Sequence, residues 1–128
     1  MRILLDTHIA LWAVVGSRRL AARAREAILA ADEVFVSTAS LWEIAIKHGL
    51  GRGDMSMSSA QALAAFTDAG YGVLNIRPEH ALAVERLAPI HSDPFDRMLI
   101  AQALAEPLTL ITHDALVASY SPAIVRVP

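Results

Sequence analysis

The sequence contains no cysteine, which excludes disulfide bonds, thiolate nucleophiles, cysteine-ligated zinc and iron–sulfur clusters. Charged residues are also scarce, at 19% of 128 residues, whereas hydrophobic residues make up 55%. This balance excludes a disordered or collagen-like chain. It predicts one domain, residues 1–128, with a large buried core.

No apolar run reaches the roughly 18 residues of a membrane span, and no signal peptide is visible. We therefore expect a soluble, cytoplasmic protein that does not contact a membrane. The net charge of −2 argues against a protein that binds nucleic acid through a broad basic surface. It does not exclude an enzyme that acts on nucleic acid, because cations can bridge anionic side chains to phosphate.

Short apolar runs alternate with helical patterns along the whole chain. Strands are predicted at 2–5, 34–36, 72–76, 108–111 and 124–127. Helices are predicted at 7–15, 18–31, 41–49, 58–70, 78–88, 94–105 and 114–120. Strands that alternate with helices pair in parallel through right-handed crossovers. We therefore predict a three-layer α/β/α sandwich around a parallel sheet of four to five strands in the order 3-2-1-4-5.

Four acidic residues fall at the predicted carboxyl edge of this sheet. Asp6 follows the first strand and Asp114 follows the fourth, while Glu43 and Asp96 lie in the early turns of helices at the same edge. Ligands of open parallel sheets bind beyond this edge, where the strand order reverses. Buried carboxylates need a compensating cation, and Mg²⁺ and Mn²⁺ prefer oxygen ligands. The four residues therefore predict a divalent metal site.

Each of these acids also has a simpler structural interpretation. Asp6 and Asp114 could each cap the helix that follows. Glu43 and Asp96 interrupt apolar helix faces, where an acid is rare unless it is paired. Candidate cations for such a salt bridge are Arg2, Lys47 and Arg97. Four acids at one edge favour the metal site, provided that the predicted topology holds.

Four blocks of sequence carry a resemblance to a known family. They are LLDTH at 4–8, STASLWEI at 37–44, HSDPFDR at 91–97 and ITHD at 111–114. Together and in this order they resemble the PIN-domain ribonucleases, and in particular the VapC-like toxins of prokaryotic toxin–antitoxin pairs. The resemblance covers nearly the whole chain.

The resemblance implies an endoribonuclease that depends on Mg²⁺ or Mn²⁺ and hydrolyses RNA phosphodiester bonds. Thr7 and Thr112 would orient carboxylates through their hydroxyl groups. Asp93 is interpreted as a helix cap. The metal-binding and catalytic residues would be Asp6, Glu43, Asp96 and Asp114.

Basic residues near these blocks are candidate contacts for substrate phosphates, namely Lys47, Arg52 and Arg97. His91 and His113 lie beside the acids in sequence, and a general-base role stays open for both. The histidines do not have the spacing of a zinc site, so the sequence assigns none of them to a metal.

The resemblance also implies partners, namely an RNA substrate, a cognate antitoxin and a second copy of the chain. An antitoxin of this class wraps its toxin and approaches the active site. An arginine-rich stretch at 18–25 is either an ordinary solvated surface or one of these contacts.

Three other functions fit parts of the pattern. A receiver-type signalling domain has a similar length, but it needs an aspartate after the third strand and a lysine after the fifth, and Lys47 is the single lysine. A DNA nuclease could use the same acids. A PIN-like binding module could keep the fold without catalysis, although the presence of all four acids counts against it.

Overall fold

The computed structural model describes residues 1–51 and 55–128. The described strands are β1 (Arg2–Leu5), β2 (Glu33–Ser37), β3 (Gly72–Leu74), β4 (Thr109–Thr112) and β5 (Val125–Arg126). The described helices are α1 (Thr7–Val15), α2 (Ala22–Ala30), α3 (Thr38–Gly49), α4 (Ser59–Asp68), α5 (Pro78–Glu85), α6 (Pro94–Ala105) and α7 (Ala115–Ala118).

The strands form one sheet in the order β3-β2-β1-β4-β5, and every pair is parallel. The predicted order is thus confirmed. In the central strand, Ile3 lies beside Val34 of β2 and Thr109 of β4. Ile3, Leu4 and Leu5 are fully buried, since helices cover both faces of the sheet.

The side chains of β1 point alternately into two separate cores. Ile3 and Leu5 pack with residues of α1, α2 and α4, whereas Leu4 packs with residues of α6 and α7. This arrangement confirms the predicted three layers. In the described ranges, no helix combines the length and the hydrophobicity that a membrane crossing requires.

A buried polar contact fixes α3 relative to α6. The hydroxyl of Ser37 accepts a hydrogen bond from the N–H of Ala39 at 3.0 Å and so caps α3. The same hydroxyl donates to Oε1 of Gln102, on α6, at 2.6 Å. Ser37 and Gln102 are both fully buried. Glu43 and Asp96 are therefore carried on two helices that are joined by this contact.

Several predicted element boundaries are wrong, among them the start of α3, which lies at Thr38 rather than at 41 because Ser37 caps the helix. The second helix begins at Ala22 rather than at 18, because the Ser17 hydroxyl accepts from the N–H of Arg19 and the chain makes a turn there. The third strand ends at Leu74, and the N–H of Ile76 bonds instead to the Thr38 side chain. Helix α5 ends at Glu85 rather than at 88. The Arg97 guanidinium donates hydrogen bonds to the carbonyl oxygens of Val84, in the last turn of the helix, and of Leu87, just beyond it.

Candidate active site

A pocket of about 130 Å³ opens beyond the carboxyl ends of β1 and β4. It is lined by Asp6, Thr7, His8, Glu43, Lys47, Asp93, Asp96, His113 and Asp114. The fold thus brings the four acids singled out in the sequence into one pocket, although they come from four separate segments. Parallel strands explain this convergence, because the segments that follow β1 and β4 leave the sheet at the same edge.

Asp6 is 5% exposed, and its two oxygens have different partners. Oδ1 accepts from the N–H of Ile9 at 2.9 Å, which caps α1, and Oδ2 accepts from the hydroxyl of Thr112 at 2.6 Å. Nδ1 of His113 lies 3.5 Å from Oδ2. Burial raises the pKa of Asp6, but the hydrogen bonds from His113, Thr112 and the Ile9 N–H and the charge of His113 together lower it more, so that the pKa lies below its ordinary value of 3.8. The carboxylate is therefore ionised at neutral pH, and it raises the pKa of His113 in return.

Asp96 lies in the first turn of α6 and has the opposite electrostatic balance. Its burial raises its pKa, a hydrogen bond from Nε2 of His91 at 2.8 Å lowers it, and the charges of Asp93, Asp6 and Glu43 raise it again. The net pKa is about 6, against an ordinary value of 3.8. Burial first and three neighbouring carboxylates second thus oppose a negative charge on Asp96.

Asp114 is both a helix cap and a pocket residue. Its Oδ1 accepts from the N–H groups of Leu116 at 2.7 Å and Val117 at 3.4 Å. Its own N–H donates to the Thr112 hydroxyl at 3.1 Å, so Thr112 links Asp114 to the neighbouring strand end. The other oxygen, Oδ2, lies 3.9 Å from Nε2 of His91. Capping thus uses one oxygen and leaves the second beside the imidazole.

Asp93 caps α6, as the sequence predicts. Its Oδ1 accepts from the N–H groups of Phe95 at 2.9 Å and Asp96 at 3.1 Å. Pro94 follows at the first helical position, where the missing N–H costs nothing. Because Asp93 also lines the pocket, it adds a further negative charge there.

Glu43 provides the test of whether these residues fit a cation. The residue is 4% exposed, and its Oε2 forms an ion pair of 2.5 Å with Nζ of Lys47. Its Oε1 is buried and has no hydrogen-bond partner within the described part of the chain. A buried acceptor left unpaired costs about 1–3 kcal/mol. Glu43 shares the pocket with Asp6, Asp96 and Asp114, and a pocket lined by carboxylates fits a divalent cation, since hard cations prefer oxygen ligands. One salt bridge that the sequence left open, between Glu43 and Lys47, is also present.

Two of the predicted supporting residues behave differently. Thr112 donates its hydroxyl to Asp6, as described. The hydroxyl of Thr7 instead donates to Oγ of Ser40 at 2.9 Å, and its single hydrogen is then not available to a carboxylate. The structure thus pairs Thr7 with Ser40, and the orientation of a carboxylate by Thr7 stays a prediction.

The candidate substrate contacts also differ from one another. Lys47 lines the pocket beside Glu43. Arg52 lies outside the described residues. Arg97 donates to the Tyr120 hydroxyl at 3.1 Å, and its guanidinium is further occupied by the carbonyl oxygens of Val84, Leu87, Ala88 and His91 at 3.0–3.4 Å. These contacts favour a structural role for Arg97 over a contact with substrate.

Sequence reasoning missed one contributor to the site, Tyr120, and left the role of another, His91, open. Tyr120 accepts hydrogen bonds from the N–H groups of Ile90 at 3.2 Å and His91 at 2.7 Å, and nothing in its local sequence indicates this. His91 carried a signal, because it belongs to one of the four blocks. Its contacts with two carboxylates depend on the loop conformation, which the sequence pattern does not define.

The rings of His8 and His113 line the pocket, and the ring of Trp12 packs against both of them. The rings of His8 and Trp12 are 5.8 Å apart between centroids, and those of Trp12 and His113 are 5.1 Å apart. His8 and His113 meet edge to face at 5.8 Å. The acids are therefore flanked by a surface of ring faces and edges.

This chain is similar to known proteins in sequence. A family model described as the PIN domain matches residues 3–120. Ribonuclease VapC22 of Mycobacterium tuberculosis (strain ATCC 25618 / H37Rv) is 31% identical over 122 residues, which cover 92% of this chain and 91% of the relative.

Two solved structures share the fold at low identity. One is VapBC2 from Rickettsia felis, bound to a DNA fragment from the VapBC2 promoter. It has a TM-score of 0.68 at 16% identity, and the match covers 99% of this chain and 98% of that chain. A toxin–antitoxin complex from Klebsiella pneumoniae has a TM-score of 0.66 at 19% identity and covers 96% and 95%. At these identities the likeness shows the fold alone.

Proposed function

Because this chain belongs to the PIN domain family, we propose that it is a metal-dependent endoribonuclease and the toxin of a toxin–antitoxin pair. The observation that carries the proposal is the pocket in which Asp6, Glu43, Asp96 and Asp114 converge. These four residues are the proposed metal ligands and catalytic residues, with Mg²⁺ or Mn²⁺ as the cofactor. The relative named above, a ribonuclease, supports RNA as the substrate class.

The residues of the pocket have separate tasks in the proposed reaction. When bound, a divalent cation supplies a Lewis acid that acidifies water and neutralises charge on the phosphate. Asp6 is kept ionised and oriented by Thr112, which also receives the Asp114 N–H. Glu43 presents an oxygen that no other described group uses. Water as the nucleophile leaves a 5′-phosphate and a 3′-hydroxyl, whereas attack by the 2′-hydroxyl of RNA leaves a cyclic phosphate.

The pocket surroundings fit a single-stranded substrate. His8, Trp12 and His113 present rings beside the acids, and unpaired bases stack on such rings. Lys47 adds a positive charge at the pocket wall. An RNA substrate also supports action in the cytoplasm. The receiver-type alternative loses support, because Asn75 rather than an aspartate follows β3.

We further propose two protein partners, a cognate antitoxin and a second copy of the chain. The two toxin–antitoxin structures that share this fold support the first. An exposed apolar face of α3 and its C-cap residue supports a protein contact, since Trp42, Ile46 and the C-cap Leu50 recur every four residues and are 60%, 39% and 64% exposed.

The proposed function is tested by incubating the purified chain with single-stranded RNA and matched DNA, with Mg²⁺, with Mn²⁺ or with EDTA. We expect metal-dependent cleavage of RNA that leaves a 5′-phosphate. Asp6→Asn and Glu43→Gln should each reduce cleavage by at least about a hundredfold, the scale on which one preorganised charge contributes to catalysis. Glu26→Gln is the matched control, because Glu26 is an exposed acid outside the pocket.

Full RNA cleavage by both variants, with unchanged circular dichroism, would refute the assignment of the acids. Cleavage of the DNA alone would support the DNA nuclease instead. Binding of RNA without cleavage under any metal condition would support the non-catalytic module.

A further inference from the structure

The loop that precedes α6 is held in place by one side chain from α6 and one from the residues after α7. Arg97 donates to its main-chain oxygens, and the Tyr120 hydroxyl accepts from two of its N–H groups. Arg97 also donates directly to Tyr120 at 3.1 Å. The two side chains therefore support each other and fix the conformation of residues 84–91.

The consequence of this clamp is the position of the His91 ring. Its side chain is 16% exposed, and Nε2 lies 2.8 Å from Oδ2 of Asp96 and 3.9 Å from Oδ2 of Asp114. One nitrogen carries at most one hydrogen, so it can bond to Asp96 but leaves Asp114 at a distance that is too long for a hydrogen bond. Two carboxylate oxygens thus converge on a nitrogen that can serve only one of them.

These spacings resemble those of a metal coordination shell. One donor atom from each of His91, Asp96 and Asp114 lies within 4.8 Å of the others. Around an octahedral ion with bonds of about 2.1 Å, adjacent ligand atoms are about 3 Å apart and opposite ones about 4.2 Å. The observed distances of 2.8 and 3.9 Å are close to these two values.

A second observation points to a cation in the pocket that His91 borders through its contacts with Asp96 and Asp114. Oε1 of Glu43 is buried without a partner in the described residues, and Glu43, Asp96 and Asp114 all line this pocket. The capping of α7 uses only Oδ1 of Asp114, and the ion pair with Lys47 uses only Oε2 of Glu43. Neither contact explains the positions of Oδ2 of Asp114 and Oε1 of Glu43.

We infer that His91 is a nitrogen ligand of a metal ion held together with Asp96 and Asp114 at the edge of the pocket, so that the site prefers first-row transition-metal ions to Mg²⁺. The inference rests on the proposed metal site but adds a ligand that the sequence pattern does not assign. Imidazole binds first-row transition metals, whereas Mg²⁺ is a hard ion that takes oxygen ligands. Binding requires the Nε2 lone pair, so the hydrogen resides on Nδ1 when the metal is present.

The experiment uses Mn²⁺ and the full chain, with pulsed electron paramagnetic resonance to detect coupling between Mn²⁺ and a ¹⁴N nucleus. We expect coupling in the wild type and in His113→Ala, and none in His91→Ala. His113 is the matched control, because its Nδ1 lies 3.5 Å from a carboxylate oxygen of the same pocket. The Mn²⁺ Kd of His91→Ala should rise by at least about tenfold, the low end of the effect of residues that support a metal site. The Mg²⁺ Kd should change by less than about threefold, because Mg²⁺ relies on oxygen ligands.

His91→Gln is a second variant, in case the alanine variant does not fold. Its amide can still donate to Asp96 but lacks an imidazole nitrogen. Nitrogen coupling that persists in both His91 variants, or that disappears in His113→Ala, would overturn the inference. The inference would also fail if the wild type bound Mn²⁺ without nitrogen coupling, or did not bind Mn²⁺. RNA cleavage without nitrogen coupling would leave the proposed function standing, whereas coupling without cleavage would leave the ligand assignment standing alone.

Discussion

Asp96 is expected to destabilise the metal-free protein at neutral pH. Its pKa is about 6 in the folded chain and 3.8 in its ordinary state, so the folded state binds more protons between these values. Stability therefore falls as the pH rises through this window, and the penalty is complete above pH 6. Two pH units correspond to about 3 kcal/mol, which we reduce to about 1–3 kcal/mol because the side chain is 23% exposed.

Replacing the charge with an amide should remove this penalty. We expect Asp96→Asn to raise the free energy of unfolding by about 1–3 kcal/mol at pH 8 in EDTA, and to change it little at pH 4. The amide oxygen can still accept from His91, so the contact at 2.8 Å survives in a neutral form. The same variant should lose RNA cleavage, since it lacks a proposed metal ligand.

The assay is urea denaturation followed by circular dichroism at pH 4, 6 and 8, with EDTA throughout. Asp68→Asn is the control, because Asp68 is an exposed acid at the end of α4. The reasoning is refuted if Asp96→Asn is less stable than wild type at pH 8, or if its gain is the same at pH 4 and pH 8. Repeating the series with Mn²⁺ should reverse the order, because only the wild type is then stabilised by the full ligand set.

Two further predictions concern the contacts that position the site. Arg97→Lys should lower the free energy of unfolding by about 2–3 kcal/mol, because an ammonium group cannot bond to all five acceptors of the guanidinium. The measurement is urea denaturation, with the exposed Arg86→Lys as the control. An unchanged midpoint would contradict the clamp. Ser37→Ala should cost about 1–3 kcal/mol, because it removes the α3 cap and leaves the buried Gln102 oxygen without its donor. The exposed Ser56→Ala should change stability by less than about 0.5 kcal/mol, and equal effects of the two serine variants would count against the buried contact.

The periodicity of the sequence was sufficient for the topology. Two helices, Thr7–Val15 and Pro94–Ala105, lie where the sequence predicts them, because Asp6 and Asp93 give clear starts and Gly16 stops the first in the left-handed conformation at a φ of 65°. The strand order follows from chain connectivity and handedness, so the acids could be placed at one edge without coordinates.

The finer arrangement of the site could not be predicted, since it depends on side chains that are distant in the sequence. The partner of the Thr7 hydroxyl, Ser40, lies 33 residues away, and Tyr120 lies 29 residues from the His91 loop. No local pattern encodes such pairings. The sequence predicted Arg97 as a phosphate contact from its charge alone. Its observed hydrogen bonds go to main-chain oxygens at and beyond the end of α5, whose positions the sequence pattern does not define.

The Arg97 clamp also bears on how freely this part of the chain can vary. The guanidinium binds main-chain oxygens, and every residue type supplies those equally well. Substitutions at the exposed positions 86 and 88–90 can therefore alter the chemistry of the loop surface while its path stays the same, whereas Leu87 packs against the core. A library randomised over these exposed positions, with Leu87, Arg97 and Tyr120 held constant, should yield mostly folded members, and it would place new side chains on the loop that carries His91 for changing what the protein recognises.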